Sequence, residues 1–298
     1  MAKRILYSSV ALRQRILQEK KPITFVLGSA ISKKYNDAGI PDVSEIERHL
    51  KKYLEDKDLY EDYICFITEQ NLDNDYKSSF EYISSIFGQD EINSIIKDIV
   101  LSNIDPLTQE HKIPKSISDF TNFIADKEYK VANIVTTNFD TLLEESFKKR
   151  SAQVNSYSLV SDSHIPSTLN DEMKIVHIHG VWDKNDSMHT HSQLSVKRDK
   201  IEGSLHELFI NTSVIIMAYG AWEDSFTRTL SNIVNHPNAD YNIAWCFYSD
   251  SNEKVNEDFE KWFDTLSPAI TRGRIQFYKG IDCNVFFESE TLSPQKKK

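Results

Sequence analysis

Apolar positions along the chain gather into six short runs separated by longer amphipathic stretches. The runs are ITFVL at 23–27, VANIVTT at 131–137, KIVHIH at 174–179, SVIIMAY at 213–219, YNIAWCFY at 241–248 and RIQFY at 274–278. Most are continuously apolar and do not alternate. That is the pattern of parallel strands covered by helices on both faces. Helical patterns follow several of them: NFDTLLEESFKK after the second run, WEDSFTRTLSNIVN after the fourth and NEKVNEDFEKWFDTL after the fifth. Strand then helix, repeated, predicts an α/β fold built as a Rossmann-like, doubly wound, mainly parallel sheet.

The first crossover departs from that rhythm. Between Gly28 and Val131 no strand pattern occurs. SEIERHLKKYLE places Ser44 and Glu47 at capping-box spacing, and EYISSIF and DEINSIIKDIVLSN are helical in pattern. Residues 44–126 are therefore expected to form a helical insertion over one edge of the sheet, inside a single domain spanning 1–298. The acidic run LEDKDLYEDY reads as a solvated face. The opening MAKRILYSSVALRQRILQEKK reads as an amphipathic helix.

Composition narrows the function. A formal charge of −10 gives no general attraction for a phosphate backbone, so non-specific nucleic-acid binding is not expected. The closing Lys296, Lys297 and Lys298 do not change this. Three scattered cysteines, Cys65, Cys246 and Cys283, build neither a disulfide framework nor a thiolate zinc site. No apolar run has the length of a membrane span, so a cytoplasmic protein is expected.

Candidate chemistry sits at the strand ends, where ligands bind in parallel sheets. The first strand runs into GSAIS, Gly28 to Ser32, whose small residues let a phosphate approach backbone amides. GIPD at 39–42 follows. TTNFD at 136–140 puts Thr136, Thr137, Asn138 and Asp140 at a second strand end, although Asn138 and Asp140 also suit helix capping. HIHG at 177–180 carries two histidines. Strand alternation places His177 and His179 on one face, His177 deeper by roughly 7 Å. The deeper histidine suits a hydrogen-bonded core position, and the outer one chemistry. MAYGAWED at 217–224 adds Gly220, Trp222 and Asp224, which also suit a turn and a helix start.

These motifs, in this order, resemble the sirtuin-like family. GSAIS and GIPD are similar to its Gly-Ala-Gly-x-Ser and Gly-Ile-Pro-Asp-Phe-Arg cofactor loop, TTNFD to its Thr-Gln-Asn-x-Asp motif, and HG to its catalytic His-Gly. YGAWED stands where the family keeps a nucleotide contact. IVTTNFDTLLEE is similar to the bacterial defence-associated branch, whose members hydrolyse NAD during phage infection. Ser29 and Ala30 stand for Ala-Gly, Val43 and Ser44 for Phe-Arg, and Thr137 for Gln. The paired CxxC motifs of the protein-deacetylating members are missing. The resemblance thus implies NAD as substrate, cleaved to nicotinamide and ADP-ribose. It implies Asn138 and His179 as catalytic residues. It assigns cofactor binding to Gly28, Ser29, Ala30, Ser32, Asp42, Thr137, Asp140, Gly220, Trp222 and Asp224. It also implies a homo-oligomer and a partner ATPase of the HerA type. Two other readings stand beside it. One is a module that binds NAD or ADP-ribose without turnover. The other is a metal hydrolase using His177, His179, His189 and His191, of which His189 and His191 are expected in a solvated polar loop.

Overall fold

A computed structural model describes residues 4–125, 130–166, 173–184, 186–221 and 224–288. Trp222 and the closing lysines lie outside the described residues. Among the described residues eight strands form one sheet: β1 Leu6–Tyr7, β2 Ile23–Leu27, β3 Val131–Thr136, β4 Asn155–Ser158, β5 Lys174–His177, β6 Ser213–Met217, β7 Asn242–Cys246 and β8 Ile275–Tyr278. Their order is β1-β8-β7-β6-β2-β3-β5-β4, and every pairing is parallel. From β2 the chain steps to β3, passes to the edge as β4 and comes back as β5 between them, then returns to add β6 on the other flank of β2. The reversal opens a crevice at the carboxyl ends of β2 and β6.

The helices are α1 Ser9–Gln18, α2 Val43–Asp56, α3 Tyr60–Gln70, α4 Tyr76–Phe87, α5 Gln89–Leu101, α6 Lys115–Ala125, α7 Leu142–Lys149, α8 His191–Ser195, α9 Asp199–Phe209 and α10 Ser225–Asn235. Four short ones follow: α11 Asn252–Asp258, α12 Glu260–Thr265, α13 Ser267–Thr271 and α14 Cys283–Phe286. Among the described residues no helix is long and apolar enough to cross a membrane.

Strand alternation sorts the core into two layers. Phe25, Leu27, Ile134, Ile175, Ile215 and Met217 face a layer with α1 to α7 and α14. Val26, Val135, Val176, Val214, Ile216 and Trp245 face a layer with α9, α10 and the helices after β7. Burial on both sides explains the unbroken apolar runs of β2 and β6, in which all five residues are buried. Phe25 shows the packing quality: its ring meets Phe120 of α6 edge-on with centroids 5.0 Å apart.

Several expectations change. Helix α2 is capped by Asp42, whose carboxylate accepts from Glu45 N–H while Glu45 reaches back to the Asp42 N–H. The capping box therefore lies two residues ahead of the Ser44 and Glu47 pair, and Ser44 donates to Asp42 instead. The helices between β2 and β3 connect two adjacent central strands and share the core layer of Phe25 and Ile134. Strand β5 stops at His177, with Ile178 and His179 in a turn, so alternation does not carry to His179. The two histidines consequently meet different surroundings. His177 bonds Glu144 of α7, whereas His179 packs against Phe226 of α10, ring centroids 6.4 Å apart.

Candidate active site

The strand ends enclose a cavity of about 110 Å³, partly open to solvent. Ser29, Ser32, Thr137, Asn138, Asp140, His179, Gly220 and Asp224 line it together. Four motifs scattered over the sequence thus meet at one place. Ala30 and Gly220 border a neighbouring cavity toward β7 and β8, with Tyr248 and Asn284.

Gly28 is required by close approach. A Cβ there would stand 2.3 Å from the Ala218 carbonyl oxygen and 2.6 Å from Tyr219 Cα. Both are backbone atoms, so any side chain would force β2 and β6 apart at the crevice. Gly180 has a second reason. Its φ is +86°, and a Cβ would lie 2.5 Å from the Asp186 carbonyl oxygen. Across the crevice, Ala218 and Ala221 hold φ of 56° and 53°. These are left-handed values that cost alanine free energy and cluster at functional sites.

Asn138 is 4% exposed and tied on three sides. Its N–H donates to Thr136 Oγ1 at 3.0 Å, its Nδ2 to Ser32 Oγ at 2.8 Å, and its carbonyl accepts from His177 Nδ1 at 2.7 Å. The remaining amide atom, Oδ1, is buried and has no protein partner. Asn138 does not cap a helix: α7 begins at Leu142, and Asp140 Oδ1 accepts from the Leu142 N–H at 3.1 Å. Asp140 therefore steadies the turn into α7, whose N-cap is Thr141, as well as lining the cavity. Burial raises its carboxyl pKa, against bonds from the Leu142 amide and Ser32 and the charge of His177.

His179 carries the second orphan atom. It is 8% exposed, and its Nε2 is buried without a partner. Burial, then the Arg198 and His189 neighbours, lower its pKa to about 3. At neutral pH it is an uncharged imidazole. Asp224 both lines the cavity and caps α10, accepting from the Thr227 N–H at 2.7 Å. Burial raises its pKa, opposed by Thr227, Arg198 and Lys77. Asp42 does not line the cavity. It pairs with Lys33 at 2.8 Å and fixes the start of α2, bringing Pro41 and Val43 to the cavity wall. Burial works against its charge, but Lys33, Ser44 and the Glu45 amide hold its pKa at about 2.

Sequence patterns did not reveal the other wall. His189 is 2% exposed and not in a solvated loop as expected. Its Nδ1 shares a hydrogen bond with the Tyr76 hydroxyl of α4, its Nε2 another with Ser187 Oγ at 2.7 Å, and its ring lies 5.0 Å from Phe80 and 5.2 Å from Phe139. Burial lowers its pKa to about 3. Tyr76, Ile46, Met188 and Leu194 complete an apolar side. His191 bonds Ser78 Oγ at 3.1 Å. Among the described residues no three His, Cys, Asp or Glu side chains gather in a metal-binding arrangement. The nitrogens of His177 and His189 are already engaged.

The family model of the SIR2-like domain matches residues 132–267, from β3 to the start of α13. The matched stretch contains Asn138, His179 and Asp224. It supports a sirtuin-like relationship and, since SIR2-like domains bind NAD, an NAD-related activity. No curated protein sequence matches the chain significantly.

Proposed function

We propose that the protein hydrolyses NAD at the bond between nicotinamide and ribose. The observation that carries this reading is that Asn138 and His179, each with a buried side-chain atom lacking a protein partner, line one cavity together at the switch of a parallel sheet. Native proteins rarely leave buried polar atoms unmatched, and a ligand is the natural partner. NAD and water give nicotinamide, ADP-ribose and one proton. The transition state has oxocarbenium character, as in other glycoside cleavages. Nicotinamide leaves neutral, so no acid is needed at the leaving group.

Each residue then has a task. Asn138 Oδ1 accepts from a ribose hydroxyl or from the attacking water. His179, uncharged near neutrality, takes the proton. Asp140 lies where positive charge develops on the ribose. The apolar side formed by Ile40, Val43, Ile46 and Leu194 receives the nicotinamide ring. Gly28, Ser29, Ala30 and Ser32 hold the pyrophosphate, with Thr137 beside them. Gly220 and the cavity toward Tyr248 take the adenosine half. Asp42 acts by ordering the GIPD turn, and Asp224 closes the far side. In this reading the protein is an antiphage effector that depletes NAD, assembled as a homo-oligomer or held in check by a HerA-type ATPase. Support for that role is the likeness of IVTTNFDTLLEE to the defence-associated branch.

The test is incubation of purified protein with NAD, alone and with its genomic neighbour, followed by chromatography of products. Stoichiometric nicotinamide and ADP-ribose are expected. Saturable NAD binding with no nicotinamide under either condition would leave a binding module in place of an enzyme.

A further inference from the structure

The buried histidine next door has a role that catalysis at His179 does not cover. His177 is 0% exposed, and both ring nitrogens have partners. Nδ1 lies 2.7 Å from the Asn138 carbonyl oxygen and Nε2 lies 2.7 Å from Glu144 Oε1. A carbonyl and a carboxylate only accept, so both nitrogens donate and the ring is an imidazolium. Burial opposes that charge, but Glu144 and the Asn138 carbonyl outweigh it and raise the histidine pKa. Ser156 of β4 donates to the same Glu144 oxygen at 2.6 Å. A charge pair buried at the sheet edge is weak evidence for stability. Its contact with the backbone of Asn138 gives it another use.

We infer, building on the NAD-hydrolysing reading of the site, that the Glu144–His177 pair is a positioning device for Asn138. By gripping the Asn138 carbonyl it fixes the peptide from which the amide side chain projects. Ser32 fixes Nδ2, so Oδ1 is the amide atom left without a protein partner in a residue that lines the cavity. His177 touches no substrate in this scheme; it sets the aim of a residue that does. Small misplacements at a reacting centre cost rate far more than affinity.

Two isosteres separate positioning from stability. H177N keeps a donor where Nδ1 stands and loses the Glu144 contact. H177Q keeps a donor where Nε2 stands and releases the Asn138 carbonyl. H177N leaves a buried carboxylate short of its main partner, so it should have the lower Tm. Turnover should run the other way. H177Q should lose about tenfold or more in kcat with KM for NAD unchanged, and H177N should stay within about threefold of wild type per folded molecule. Hydrogen exchange in the peptide 136–142 should quicken in H177Q and not in H177N. Turnover and exchange that follow the Tm order would overturn the inference. So would full activity in H177Q. If wild type releases no nicotinamide, the NAD-hydrolysing reading fails, while the exchange comparison still decides the positioning claim. Should neither variant fold, E144D withdraws the carboxylate by one methylene. With the carboxylate drawn back the ring need not stay cationic, and an imidazole that keeps its proton on Nε2 no longer donates to the Asn138 carbonyl, which the amide of H177N always does. The value of kcat should therefore fall severalfold at constant KM, or the same exchange quicken, and wild-type values for both would refute the device.

Discussion

Replacing His189 with Phe tests whether the cavity wall is as dry as its burial implies. The folded protein holds this imidazole uncharged, with its pKa at about 3 against an ordinary 6.5, because burial disfavours the cation. The sign follows from linkage. The unfolded chain takes up a proton below pH 6.5 and the folded chain refuses it. The stabilising contribution is therefore complete above pH 6.5 and is lost as pH falls from there toward 3. Between pH 7.5 and pH 5 the loss amounts to about 2 kcal/mol for this histidine. His179 adds a similar slope, whereas His177, with its pKa raised, contributes the opposite sign. The wild-type curve alone is thus not diagnostic, but the difference between wild type and variant is. Phe fits between the Phe80 and Phe139 rings and does not titrate. It forfeits the bonds to Tyr76 and Ser187, about 1 kcal/mol each at any of these pH values. His189→Phe should therefore be less stable by about 2 kcal/mol at pH 7.5 and nearly equal to wild type at pH 5. Urea unfolding followed by tryptophan fluorescence gives both values by linear extrapolation. A stability gap that stays the same from pH 7.5 to pH 5 would refute the reasoning.

Other outcomes follow from the site. His179→Gln should cut nicotinamide release by about 10²-fold or more, with NAD binding retained; normal release would remove His179 from the chemistry. Because His179 is uncharged down to a pKa of about 3, wild-type turnover per folded molecule should stay level from pH 8 to pH 5.5, and an acid limb centred near the ordinary 6.5 would contradict its dry setting. Asn138→Ala should lose most turnover but still bind ADP-ribose in calorimetry, since only the contact at the reacting ribose is removed; unchanged turnover would reduce Asn138 to a loop fixture. Gly28→Ala sets a Cβ 2.3 Å from the Ala218 carbonyl oxygen, so it should cost about 1–3 kcal/mol by overpacking and raise KM for NAD. Wild-type urea midpoint and KM would show that the crevice yields without strain.

The long central strands were legible because each is buried on both faces, which leaves unbroken apolar runs such as ITFVL. The edge strands were not. β1 has two residues, and β4, NSYS, is polar and only half buried, so neither carries an apolar signal. Asn138, Asp140 and His179 could be read because strand ends in a parallel sheet share one crevice. The facing of His179 could not be read, since it depends on where β5 stops. The wall made by Tyr76 and His189 was invisible for a different reason. It joins residues 113 positions apart through a hydrogen bond that no local pattern encodes.

That long-range contact belongs to a wider clamp. The segment after His-Gly is held by the helices inserted between β2 and β3. Asn93 donates to Asp186 at 2.9 Å, Gln89 to the Ser187 carbonyl at 3.3 Å, and Gln193 to Gln89 at 2.7 Å. Glu81 accepts the Ser192 N–H at 2.9 Å. Each bond is worth about 1 kcal/mol, so together they offset part of the entropy of ordering the segment, and burial of Met188, His189 and Leu194 adds to them. The clamped segment returns over His179, where the Met188 N–H donates to the His179 carbonyl at 2.8 Å. It presents Met188, His189 and Leu194 to the cavity. The insertion therefore supplies one side of the chamber in which the orphan nitrogen of His179 sits, both through its own Ile46 and Tyr76 and through the segment it grips. On the NAD-hydrolysing reading proposed above, this is the side that meets the nicotinamide ring, through Ile46 and Leu194.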